Sequence, residues 1–480
     1  MESAQLREMI NFGFRAKYDD IDPKTVLQLK RHLLDSMASL VFSLSQETPK
    51  KLRRQVSDIQ SKKGFIPIEA LTIDRAAELY TALIRYPDFM DNFLAKEATC
   101  HPSDNIGALL AASVYKDLNG KDFLKAMAVS YQLECRLTEK FPVMVKGFDH
   151  TVLLNFSIMI AVAELLGLNK DETRHACGMV ACTVNPFVTS RAAYTSEWKG
   201  LVSSCTAFNC LNKAFLAKRG MTGPYSIFEG PMAMNKIMEM ELVHNWSHEE
   251  EFELIPRCIL KEFNSEVHSQ SLIEALLDLD EQHHFSADNI KEIEATTFLT
   301  AYHIIGGGEY GDRKVVVTKE QADHSLPYLL AVALLDKGIY PEQLTVDRIN
   351  GADVQELLKK VNVTTSFPFK EPRKLVTHVD PYTLAYPNKM MAKITIATID
   401  GKQHSLEKED YHGFFTRPLD WAEVEKKFLR LTDGIIPQSS QQQIIAMIGE
   451  LEGQNVSELM DIIHKGETAA WYGNSMIGEM

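Results

Sequence analysis

From Pro23 onward, apolar residues recur every three or four positions, at Val26, Leu27, Leu29, Leu33, Leu34 and Met37. That period predicts an amphipathic helix, opened by Asp22 and Pro23. Ile106 to Tyr115 and Gly200 to Lys218 read as helices of small and apolar residues. Thr151 to Leu166 is apolar on nearly every face, the signature of a helix at the centre of a bundle. Gly167 ends it, and Asn169-Lys-Asp-Glu172 opens the next helix, with acidic side chains where the dipole favours them. The first 265 or so residues therefore read as mainly helical.

The pattern changes near residue 270. Ile290 to Thr297, Arg313 to Thr318 and Met391 to Ile399 show alternation or β-branched enrichment, which predicts strands. Asp400-Gly401 reads as a hairpin turn between Ala392–Ile399 and Gln403–Leu406. Helices are expected at Ser325 to Asp336 and Val354 to Lys360, and again at Trp421 to Arg430 and Gln441 to Leu451. The predicted architecture is a helical domain (1–268), a smaller α+β domain (269–408), and C-terminal helices (409–480) that return to the first, since chain ends often share a domain.

With 480 residues, the chain is long enough for two or three such domains. Its formal net charge is -14, so nucleic acid and anionic lipid are not expected partners. Any pocket for a small anion would have to gather its cations locally. The most apolar stretch, around Phe156 to Leu168, is shorter than the ~20 residues of a membrane span and is interrupted by Glu164. Met1 to Glu8 lacks a basic segment followed by an apolar run, so no secretory signal is read there and a cytoplasmic location is expected. Seven cysteines at 100, 135, 177, 182, 205, 210 and 258 form no C-x-x-C pair, which argues against a zinc or iron–sulfur cofactor and for buried thiols.

Five segments carry candidate chemistry. Asp88-Phe-Met-Asp-Asn92 is followed by His101-Pro-Ser-Asp-Asn105, where the proline disfavours helix at His101 and Ser103 or Asp104 is placed to cap the Ile106 helix. Such a histidine can project into a cleft and titrate near neutrality, or be purely structural. Lys146-Gly-Phe-Asp-His150 precedes the most apolar helix, with Asp149 or Thr151 as candidate caps. Glu197-Trp-Lys199 opens a helix, and most such lysines are solvated. Lys261 and His268 lie near the domain change, where ligand sites concentrate. Asp323-His324-Ser-Leu-Pro-Tyr328 opens a helix, and Gly306-Gly-Gly308 before it reads as a turn. The residues alone suggest an anion site and leave the reaction class open.

In this order the segments resemble the MmgE/PrpD family. The resemblance also covers Trp198-Lys199-Gly200, Arg219-Gly-Met-Thr-Gly-Pro224, Phe228-Glu-Gly230, and Thr416-Arg-Pro-Leu-Asp-Trp421 through Phe428. It implies a large helical domain closed by a smaller α+β lid, a homodimer and cofactor-free chemistry. The implied reaction is dehydration of 2-methylcitrate or a close tricarboxylate, with cis-aconitate decarboxylation or dicarboxylate epimerisation as sister activities. A polycarboxylate-binding protein without activity is the alternative of another class. Carried over by position, the resemblance implies catalytic roles for Asp88, His101, Lys199 and Lys261, and substrate binding by Asn92, His150, His268 and Tyr328. Two departures stand out: Asn92 replaces a common Thr, and Ala76 to Ala82 replaces a glycine-rich stretch before Pro87.

Overall fold

The computed structural model describes residues 3–59, 71–192, 195–246 and 250–471. Met1 and Glu2, the start of the stretch read for a leader, lie outside them. The fold is mainly α, and the chain divides into two compact units. The first takes Met1–Val188, Gly200–Cys258 and Asp420–Met480; the second takes Thr189–Lys199 and Ile259–Leu419. These boundaries lie about ten residues outside the pattern-based 269 and 409, and residues 189–199 go with the second unit. Residues 259–266 and 409–419 contain no helix or strand, so they have no period by which sequence could assign them.

In the first unit, Thr151–Leu166 is buried along almost its whole length and packs against Gly120–Lys140 and Val202–Lys218. Its uniform apolarity has the cause expected: neighbours lie on every side. Gly167 ends it with φ 74, a conformation that costs glycine little. Asp22 caps Pro23–Leu44 through the Thr25 amide, and Asn169 with Glu172 forms a full capping box. Lys427 of the Trp421–Thr432 helix is buried; its Nζ lies 2.7 Å from Asp35 and donates to the Phe89 carbonyl at 2.8 Å. That bond ties the helix at the end of this unit to the loop after Ile73–Arg85, which carries Asp88.

The second unit holds a four-stranded sheet in the order Val361–Thr365, Ile290–Thr297, Ala392–Thr398, Gln403–Lys408. The first pair is parallel and the other two are antiparallel. Ala392, Ile394, Ile396 and Thr398 turn to the buried face, and the Gln270–His283 helix packs on this part of the sheet. The Asp400-Gly401 hairpin is present, with Gly401 at φ 87. Val361–Thr365 was not foreseen, because its five residues directly continue the Ala352–Leu357 and Leu358–Lys360 helical turns.

Arg313 to Thr318 is not a strand, which corrects the sequence reading. Val315 and Val317 are exposed, and no strand pairs with them among the described residues. β-Branched residues favour a strand only where a pleated neighbour exists to pack against. Among the described residues, no helix is long and apolar enough to cross a membrane.

Candidate active site

In the first unit, a short antiparallel ribbon pairs Phe93 with Cys100 and Leu94 with Thr99. It returns the chain so that Asn92 and His101, nine positions apart, flank the same end of the ribbon. Pro102–Asn105 then forms a single 3-10 turn before the Ile106–Lys116 helix. Neither Ser103 nor Asp104 caps that helix, contrary to expectation: the inserted turn makes Asn105 the boundary residue, without a side-chain cap. Before Thr151–Leu166 the boundary residue is His150, while the Asp149 carboxylate accepts from the Thr151 amide at 3.0 Å.

His101 Nδ1 lies 2.8 Å from the Asp91 carbonyl, and its Nε2 lies 3.2 Å from Arg85 Nη2. A carbonyl can only accept and a guanidinium can only donate. The network therefore requires a neutral ring with the proton on Nδ1 and the lone pair on Nε2. Arg85 Nη1 donates to Asp88 at 2.9 Å, and Arg85 Nε lies 3.8 Å from Asp104. Burial opposes the Arg85 charge, but Asp88, Asp104 and Asp149 outweigh it and hold the guanidinium ionised. Asp88 sits at φ 56, a left-handed conformation that aspartate tolerates better than most residues. His150 Nε2 is 3.6 Å from Asp104, and its ring centroid is 5.4 Å from that of His101.

Asp91 holds this arrangement together. Its carbonyl takes His101, one carboxylate oxygen accepts from the Ser103 amide at 2.9 Å, and the other meets His32 Nδ1 at 2.7 Å. Burial pushes the Asp91 carboxyl up, but His32 and Ser103 pull it below its ordinary value. The unfolded chain then binds a proton more readily, so this contribution is full above about pH 4 and is lost as pH falls through the lower folded value. Asp91→Asn should cost about 3 kcal/mol at pH 7, the cost of stranding one member of a buried pair, and much less near pH 3. Urea titrations at the two pH values measure the difference.

The second unit gathers opposite charges around a different centre. Lys199 closes the Thr189–Lys199 segment, which is anchored by a Thr195 hydroxyl bond to the Glu320 carbonyl at 2.6 Å. Lys199 is buried; its Nζ lies 3.2 Å from Asp323 Oδ1 and 3.0 Å from His324 Nδ1. Lys319 reaches the other Asp323 oxygen at 3.1 Å. Burial pushes the Asp323 carboxyl up, but Lys199, Lys319 and His324 overcome it and hold the carboxyl far below the ordinary range. Glu266 accepts from His268 Nδ1 at 2.8 Å, and His268 Nε2 meets the Tyr386 hydroxyl at 3.1 Å. The Glu266 carboxyl is likewise held down against burial by His268, His324 and Lys261. Lys261 is buried in a segment pinned by the Leu260 amide bond to Gly413 and the Tyr411 hydroxyl bond to Leu260. With Arg313, four basic side chains thus surround two ionised carboxylates. An acidic chain has thus gathered cations locally around Asp323 and Glu266.

Of the residues named from sequence, Asp88, His101 and His150 come together in the first unit. Asn92 is buried at the base of their ribbon. Lys199, Lys261 and His268 are linked in the second unit through Asp323 and Glu266. Tyr328 stands apart: its hydroxyl donates to the Gln343 carbonyl, beside Arg348 and Asp336. Sequence reading missed Arg85, Asp91, Glu266 and Tyr386 as site members. Only Arg85 left a signal, standing three positions before Asp88 in the last turn of a helix. Asp323 and His324 were noticed but given no role. Cys135 and Cys258 are buried with their sulfurs 3.6 Å apart, and burial pushes both thiols up.

Residues 7–242 match the MmgE/PrpD N-terminal domain, and residues 263–452 match the MmgE/PrpD C-terminal domain. The chain is 24% identical over 460 residues to 2-methylcitrate dehydratase of Salmonella typhi, covering 90% of this chain and 91% of that one. It is 22% identical over 475 residues to cis-aconitate decarboxylase of Homo sapiens, covering 94% and 92%. It is also 25% identical over 315 residues to the mitochondrial 2-methylcitrate dehydratase of Yarrowia lipolytica, covering 60% and 58%. Two family domains matched in order across most of its length place this chain in the MmgE/PrpD family.

Proposed function

We propose that this chain is a hydro-lyase that dehydrates 2-methylcitrate, or a closely related tricarboxylate, by acid–base elimination without a cofactor. The observation that carries the reading is the kind of side chain each unit gathers: titratable groups around His101 in one, and cations outnumbering carboxylates around Asp323 and Glu266 in the other. Elimination needs both. A base takes the proton from a carbon next to a carboxylate, and the C–H electron pair becomes the new double bond. The C–O bond breaks with its pair on oxygen, and an acid protonates the leaving hydroxyl to water. Negative charge grows on the adjacent carboxylate, where each well-aimed donor is worth roughly 3–4 kcal/mol.

In this proposal His101 transfers the proton, and Asp88 orients it or shares that work. Lys199 and Lys261 hold substrate carboxylates and the developing charge. Asn92, His150 and His268 are assigned to substrate binding, and Tyr328, whose hydroxyl is bonded to the Gln343 carbonyl, is kept as the least supported of the set. The enzyme is further proposed to be a cytoplasmic homodimer. Decarboxylation of cis-aconitate is kept as a second reading, because the match to the human decarboxylase covers as much of the chain as the dehydratase match.

Incubation with 2-methylcitrate, citrate and cis-aconitate, following unsaturated product and carbon dioxide, tests the proposal. Unsaturated acid from 2-methylcitrate supports it; carbon dioxide from cis-aconitate alone replaces it with the second reading. Activity is expected to survive EDTA and air. Loss of activity in EDTA that returns with iron contradicts the cofactor-free mechanism.

A further inference from the structure

Arg85 is fully buried at the end of the Ile73–Arg85 helix, and its guanidinium is divided among Asp88, Asp104 and the imidazole of His101. We propose that Arg85 is the positioning residue for His101: it keeps the ring neutral, with the proton on Nδ1, and so makes Nε2 the atom that exchanges protons. This rests on the assignment of His101 as the proton-transfer group but concerns a property of the ring that can be measured without turnover.

A hydrogen bond donated to the Nε2 lone pair stabilises only the unprotonated ring, and a permanent cation at 3.2 Å opposes a second positive charge. A lysine would not serve as well, because one fork must reach Asp88 from Nη1 and His101 from Nη2 at once. The Asp91 carbonyl fixes the other nitrogen from the opposite edge.

The charged and titratable groups around the Arg85–His101 pair come from several segments. Arg85 belongs to the preceding helix and Asp88 to the loop after it; Asp104 lies in the 3-10 turn, and Asp149 and His150 lie before Thr151–Leu166. The Asp91 carboxylate is turned away to His32 and Ser103. Asp88 and Asp104 favour a charged imidazole, yet both lie against Arg85, which offsets them. Removing the guanidinium charge therefore acts twice: the cation is lost, and two buried carboxylates lose the charge that offsets them. A neutral ring can take a proton from substrate carbon through Nε2 once the guanidinium releases it. A substrate carboxylate is the better partner for that release, since a charge-assisted bond is stronger than one to a neutral ring.

The test is NMR of the full chain labelled with 15N-histidine, with His101 assigned by the signals lost in His101→Gln. The wild-type ring is expected to be neutral with Nδ1 protonated, and to stay so well below pH 6.5. In Arg85→Gln, which keeps an amide donor without charge, the midpoint should rise by roughly one to three pH units. The acid limb of kcat/KM should rise with it. Arg85→Lys, which restores charge, should recover most of the low midpoint while leaving the ring less uniformly in one tautomer. An unchanged midpoint and tautomer in a folded Arg85→Gln overturns the proposal, as does a wild-type ring protonated at Nε2 at pH 7. If Arg85→Gln does not fold, a midpoint in Arg85→Lys close to that of wild type upholds the role of charge, and a midpoint that rises there overturns it. A wild-type ring of the expected form in a chain that turns over no polycarboxylate would fault the proposed function and leave this inference standing.

Discussion

His101→Ala should lower kcat by about 10²–10⁴-fold and leave the dissociation constant of the substrate almost unchanged. The ring is buried, with Nδ1 at the Asp91 carbonyl and Nε2 at Arg85, and it is assigned to proton transfer rather than to holding a substrate carboxylate. A group that transfers a proton acts in the transition state, which is why turnover should fall without binding. A parallel loss of both would mean that the imidazole is an anchor.

Lys199→Ala should fail in the other way. An ammonium that holds a carboxylate contributes before chemistry begins, so the dissociation constant should rise by roughly 10–100-fold together with a fall in kcat. The structure adds a complication that sequence could not show: Lys199 is also the partner of Asp323 and His324. Its loss leaves Asp323 with Lys319 and a histidine, so part of the effect is the cost of an under-compensated buried carboxylate. Lys199→Ala combined with Asp323→Asn separates the two. Recovery of stability without recovery of affinity assigns the affinity loss to the lysine. Arg at 199 is not expected to rescue fully, because a planar fork differs in shape from the compact ammonium that lies against Asp323.

Much of the fold was legible because it rests on local patterns. The Thr151–Leu166 helix, the Asn169 cap, the Ile290–Thr297 strand and the Asp400-Gly401 hairpin are each written within a few consecutive residues. Arg313 to Thr318 misled because β-branched residues report propensity, whereas a strand needs a partner that lies elsewhere in the chain. The site divides in the same way. His101 and Asp88 were visible through resemblance and through the proline that breaks the helix. Asp91 was not, since a carboxylate that orients a histidine carries no spacing signal when its partners are the distant His32 and Ser103; Glu266 stands two positions before His268, but an extended pair of that kind is ordinary in loops. Arg85 stands within one turn of Asp88, but an arginine ending a helix is ordinarily a favourable end to its dipole and by itself marks no site.

The central claim is elimination with proton transfer through His101. NMR of 2-methylcitrate incubated with the chain in deuterated water, with wild type and His101→Ala side by side, tests it most directly. The account predicts an unsaturated tricarboxylate and solvent deuterium in the recovered substrate for wild type, with both suppressed at least about 100-fold in the variant while it still binds. Product formed at equal rates by the two proteins, or no unsaturated product from the wild type, would contradict it.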